Sequence, residues 1–505
     1  MIMMDSDKNN WVKRKASFFL SRLLIFLIFF LLFFPSGPML PWRESLEGTK
    51  GYLFFSSCYY FFFLLLQWYY LGREIDYRFK IYYKVHSALD RPVYRLLMGM
   101  MIMLVLFNWS VYFPSPLLNF SFWGTWLLFG LFYSWPTRGK IVEEGPTRHF
   151  AEFRYLDPFE KLVLLLTLLM VFLSLPQLDT ISLLHASKQT LLKNPHVTLS
   201  MWNYLRWLFS PFWHRPEQFT LMVVFFFYFW GIGISLLAFY AFLRHFFSRR
   251  IALLGPLAFA SSWALIKDLE GNLFSTTALS LPILTLWAFC WFINSSSYRS
   301  ALFIGLLFFY ALLHSPLMGL GVFLMLIFTL FSFYRHKTSW FKKQVIKYFS
   351  IGPFFAVLLF FYRPGDFVFF SSEMSFDVMG DIVVQAMGRK GVYVLSLFAP
   401  LLFVLFFRSL ILLPLRKVFT GSYFLFSLGF FLFWSLLLWG DPVLSLHLYW
   451  NYFFSFCMLI PLEVIFCAVG RMQSKKNLIY ALYILLILLD SHFEGRVKIF
   501  LSNLF

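Results

Sequence analysis

Asp179 stands just past Pro176, where an apolar run over 162–175 stops. The segment that follows, LDTISLLHASKQTLLKNP (178–195), carries His185 and Lys188 between leucines. Ser182, His185, Gln189 and Lys193 recur at three- and four-residue spacing, which puts them on one face of a helix, while Ile181, Leu184 and Leu191 line another. A helix of that kind lies in a membrane surface. The next piece, LSMWNYLRWLFSPFWHRPEQF (199–219), repeats the idea: Trp202, Trp207 and Trp213 suit an interface, with Arg206, His214 and Arg215 among them. Cations around one carboxylate at a membrane surface suit a substrate with an anionic headgroup and an apolar tail. The plain alternative stays open beside this. Asp179 is also where a helix N-cap belongs, and His185 and Lys188 are also residues that simply meet headgroups or water.

Further polar points punctuate the chain. WALIKDLEGNLF (263–274) puts Lys267, Asp268 and Glu270 at a turn marked by Gly271 and Asn272. The two carboxylates suit a divalent metal or a bound hydroxyl; a solvated turn is the ordinary reading. His314, before Pro316, either reaches such a site or ends a helix. Arg363 opens the stretch 363–390, which either covers the site or is a solvated loop. Arg22, Arg95 and Glu463 lie within or beside apolar runs, where ionisable residues are functional candidates. Arg22 and Arg95 are near enough to a membrane surface to snorkel.

What must position these residues is a set of long apolar helices. The chain has 505 residues, 60% of them hydrophobic, 23% aromatic and only 13% charged. Apolar runs of about 15–25 residues recur throughout, the length a bilayer demands of a helix. The runs lack period-2 alternation, which excludes a β-barrel. The expected fold is all-α, a polytopic transmembrane helical bundle of roughly 14–15 spans. Polar stretches are too short for a separate soluble core. The four cysteines all sit inside apolar runs without metal spacing, so disulfides are not expected.

A net charge of +19 in a soluble protein would suggest nucleic acid. Here the basic residues gather in short turns between apolar runs, the pattern of cytoplasmic retention, and nucleic acid is rejected. Lys13, Arg14 and Lys15 put the N-terminus in the cytoplasm. The loops 72–92 and 137–161, the turn at Arg244, Arg249 and Arg250, and that at Arg471, Lys475 and Lys476 fall on the same side. The alternation divides the chain into an N-terminal four-span block (1–136), a cytoplasmic basic loop (137–160) and a membrane core (161–505) with outer loops 177–218 and 363–390. The expected location is the plasma (inner) membrane, as an integral multi-pass protein.

The order of features from about 161 to 470 resembles the GT-C class of membrane glycosyltransferases, which includes the protein mannosyltransferases and the lipid A aminoarabinose transferases. The elements that carry the resemblance are LDTISLLHASKQTLLKNP, WHRPEQF, LAFYAFLRHFFSRRIALLGPLAFASSW (237–263), LFFYALLHSPLMGL (307–320) and HLYWNYFFSFCMLIPL (447–462). Two departures stand out. Asp179 is followed by Thr180 where the class often pairs two acidic residues, and Leu448-Tyr449 replaces the arginine expected before the last-span tyrosine. The resemblance implies a GT-C-like core and inverting sugar transfer outside the cytoplasm from a polyprenyl-phosphate donor. Asp179 would be the base that deprotonates the acceptor hydroxyl for attack on the anomeric carbon. His185, Lys188, His214 and Arg215 are the cations nearby in sequence for the departing phosphate, with Lys267, Asp268, Glu270, His314 and Arg363 as further substrate contacts. No cofactor is firmly implied, and a divalent metal stays open.

Two other functions compete. A flippase or exporter of a lipid-linked or anionic substrate would carry internal repeats and matching broken spans. A non-catalytic subunit scaffolding an assembly would use the four-span block, which resides outside the resemblance, to hold a protein partner. Membrane lipid is an expected partner in every case.

Overall fold

A computed structural model of the chain describes residues 24, 65–73, 75, 90–107, 156–174, 231–261, 275–295, 303–308, 310–311, 319–327, 429, 433–434, 446–470 and 472–490. The described residues form helices and turns, and no strand occurs among them. The protein is therefore all-α where it is described. Seven helices have defined bounds: α1 (Asp90–Phe107), α2 (Pro158–Ser174), α3 (Arg249–Ala252), α4 (Leu254–Ser261), α5 (Ser275–Ser295), α6 (Leu446–Val469) and α7 (Gln473–Asp490). Apart from α3, which begins in a basic turn, they fall in apolar runs of the sequence. Among the described residues no helix is long and apolar enough to cross a membrane.

The chain divides into two compact units. One comprises Met1–Lys80, Tyr94–Ala151 and Leu199–Phe226; the other comprises Ile81–Val93, Glu152–Thr198 and Phe227–Phe505.

In the first unit, the helical residues 65–73 cross α1 with their backbones in contact. A Cβ on Gly72 would strike the carbonyl of Arg95, and one on Gly99 would strike the carbonyl of Trp68. Residues 68 and 72 thus face 99 and 95 in antiparallel order, each glycine opposite the backbone of the other helix's large residue. Only glycine permits this approach. The side chains that flank the crossing are buried: Trp68, Tyr94, Leu97 and Met98 are almost wholly inaccessible.

In the second unit, α4 is the hub. It packs against α2, α6 and α7, and α6 also meets α3, α5 and α7. Phenylalanine fills the joints. Phe259 of α4 stacks on Tyr452 of α6 at 4.3 Å between ring centroids, and Phe239 meets the same tyrosine edge-on at 5.1 Å. One turn along α6, Phe456 receives Phe242, Phe246 and Phe247 at 5.8, 5.9 and 5.6 Å. Rings packed at tilted and edge-on angles contribute beyond their burial. Elsewhere in this unit Trp434 donates its indole N–H to Met325 Sδ at 2.8 Å. Pro282 and Pro461 sit inside α5 and α6, each removing one backbone donor without ending its helix.

The outer faces of α2 and α7 are apolar. On α2, Leu165, Leu168 and Phe172 are 63%, 50% and 41% exposed; on α7, Leu478, Leu482, Leu485 and Leu489 are all at least half exposed.

Candidate functional site

Every sequence-predicted site residue lies outside the described residues: Asp179, His185, Lys188, His214, Arg215, Lys267, Asp268, Glu270, His314 and Arg363. Arg22 does too. Two of the ionisable residues noted in apolar runs are described, Arg95 and Glu463.

The described residues bring charge together at one end of the second unit, where α2 and α7 begin and the turn 244–248 leads into α3. The local sequence explains the geometry. Asp157-Pro158-Phe159-Glu160 is a capping box with proline at the first helical position. Asp157 Oδ1 accepts the Glu160 backbone N–H at 2.8 Å, and Glu160 Oε2 accepts the Asp157 N–H at 2.9 Å. The cap fixes the Glu160 side chain, which then meets Arg249 as a fork: Nε to Oε1 at 2.8 Å and Nη2 to Oε2 at 2.7 Å. Glu160 is almost wholly buried here, whereas Arg249 keeps part of its surface. Such a two-point match is available to arginine and not to lysine.

Arg250 binds differently. Its guanidinium lies over the rings of Tyr480 and Phe159, 4.6 and 5.3 Å from their centroids. Its Nη2 donates to Asn477 Oδ1 at 2.8 Å, and Asp157 Oδ2 is 3.6 Å from its Nε. The Tyr480 hydroxyl donates to the Arg250 carbonyl at 2.7 Å. One arginine thereby joins α2, α3 and α7. Beside it, the Ser248 N–H points to Glu463 Oε2 of α6 at 3.4 Å, and Arg244 Nη1 donates to the Phe247 carbonyl at 2.9 Å.

Chemically this end is a clamp. Glu160 and Asp157 are engaged with arginines and backbone donors. Among the described residues no group of three or more His, Cys, Asp or Glu side chains could hold a metal ion. Cys290, Cys457 and Cys467 are not joined in disulfides.

Composition alone assigned Arg249 and Arg250 to a basic turn and gave Glu160 no role. The signal was present: an Asp-Pro-x-Glu box states that a carboxylate opens α2. Its partner, 89 residues away in sequence, has no local mark. Arg95 also departs from expectation. It is 3% exposed rather than reaching for a surface, and its Nη1 approaches the Tyr69 hydroxyl at 3.4 Å.

Compared with family models, with characterised proteins and with solved structures, the chain matches none.

Proposed function

We propose that the chain is a multi-pass membrane protein of the glycosyltransferase-like kind, moving a sugar from a polyprenyl-phosphate donor to an acceptor outside the cytoplasm. The observation that carries the membrane half of this reading is the leucine surface of α2 and α7. A soluble monomer rarely leaves such columns to water, whereas acyl chains solvate them at no cost. One further point supports it. Among the described residues, parts of three basic turns that the charge alternation assigns to one membrane face (Lys161, Arg244 to Arg250, and Lys475 with Lys476) lie at one end of the second unit. The catalytic half rests on the sequence, with Asp179 as base and His185, Lys188, His214 and Arg215 as cations for the leaving phosphate.

The test is release of polyprenyl phosphate from a panel of polyprenyl-phosphate hexoses by the purified full chain in nanodiscs. Asp179→Asn should lower release by about a hundredfold or more, the typical worth of a general base. It should leave the unfolding transition unchanged. Undiminished release in that variant refutes Asp179 as the base. A chain that consumes no donor, yet moves labelled donor across a vesicle bilayer, is a carrier; one that does neither is a scaffold.

A further inference from the structure

The two leucine faces have a common feature at their head. On α2 the exposed stripe Leu165, Leu168 and Phe172 is led by Lys161, and Lys161 is itself exposed. On α7 the stripe Leu478, Leu482, Leu485 and Leu489 is led by Lys475, also exposed. Spacings of three and four residues keep each lysine above its own leucines. Both lysines lie at the same end of the unit, because Phe159 and Tyr480 meet edge-on at 6.4 Å with the Arg250 guanidinium over both. The carboxylates at this end are occupied. Glu160 is paired with Arg249, Asp157 lies against Arg250, and Glu463 faces the Ser248 N–H. Lys161 and Lys475 therefore add positive charge outside the clamp, beside Lys476 and Arg244, which act on Glu463.

We infer that Lys161 and Lys475 form headgroup contacts for anionic phospholipid, whose acyl chains lie along the leucine columns of α2 and α7. The inference rests on the membrane reading above and adds to it the class of lipid and the residues that select it. An apolar column headed by an ammonium matches a molecule with two acyl chains and a phosphate of net negative charge. A zwitterionic lipid presents the same chains but brings its own cation, and so gains less from the lysine. Each lysine near an anionic headgroup is worth about a fivefold preference.

The experiment uses the full chain in nanodiscs containing a photoactivatable phospholipid with the reactive group in its acyl chain. Phosphatidylglycerol and phosphatidylcholine versions are compared at equal mole fraction. Crosslinks are mapped to the peptides covering 162–172 and 478–489. Phosphatidylglycerol should label both peptides about fivefold more than phosphatidylcholine. Lys161→Gln with Lys475→Gln should bring the two lipids to parity, and Lys161→Arg with Lys475→Arg should keep the preference. Unchanged phosphatidylcholine labelling in the glutamine variant reports an intact fold. Parity in the parent chain, or a preference that survives the glutamine pair, overturns the inference while leaving the membrane reading in place. Labelling of these peptides by neither lipid overturns both.

Discussion

Glu160 and Arg249 exemplify how a charged pair can be costly to break and cheap to replace. The carboxylate is desolvated, and the fork from Arg249 compensates for that burial. Arg249→Ala should cost about 3 kcal/mol, because it leaves the buried carboxylate without its partner. Arg249→Lys should recover only part of that, since an ammonium makes one contact where the guanidinium makes two. The double variant Arg249→Met, Glu160→Leu should cost less than Arg249→Ala alone. Equilibrium unfolding of the four proteins in mixed micelles checks the order. An Arg249→Ala protein as stable as the parent would mean the pair contributes nothing. Arg250 makes a different bond: Arg250→Lys should retain some ring contact yet lose the hold on Asn477, at about 1 kcal/mol.

The helices themselves were legible as apolar runs, and their placement follows from burial. The start of α2 is set by its cap, Asp157 followed by Pro158. What apolar periodicity does not carry is how closely two helices approach. The crossing of 65–73 with α1 depends on Gly72 and Gly99, which in a helix pattern look like mere weak points. Gly99→Ala should destabilise the protein by about 3 kcal/mol, the upper end of overpacking, because the new methyl meets backbone that cannot rotate away. Gly255→Ala should cost less. Its closest neighbours are side-chain atoms of Leu243 and Phe239, which can turn about their χ angles where a backbone carbonyl cannot. Thermal unfolding of the two alanine variants in the same detergent, with Gly99→Ala melting lower, is the expected outcome.

At the scale of the molecule, the question is what solvates the outside. Leucines line the outer faces of α2 and α7; on the membrane reading proposed above, a polar residue placed there should hinder insertion rather than folding of the core. Leu482→Lys should shift insertion of the α7 segment by about 3 kcal/mol or less, depending on depth, whereas Ser474→Lys, at the head of the helix, should be neutral. Glycosylation-tagged insertion into microsomes measures both. Equal, undiminished insertion of the two variants would argue that the column is not in acyl chains.

From the sequence alone came the helical class and the approximate positions of the longer helices, because each depends on neighbours along the chain. Apolar length, capping pattern and charge placement are local quantities. The tertiary structure decided the rest: that Glu160 is the partner of Arg249, that Arg250 joins three helices, that Arg95 is buried beside Tyr69, and that phenylalanine builds the joint between α4 and α6. Those choices turn on contacts between residues far apart in sequence. Desolvation and ring geometry select among partners only once the helices have met, and no spacing along the chain encodes which face each will find.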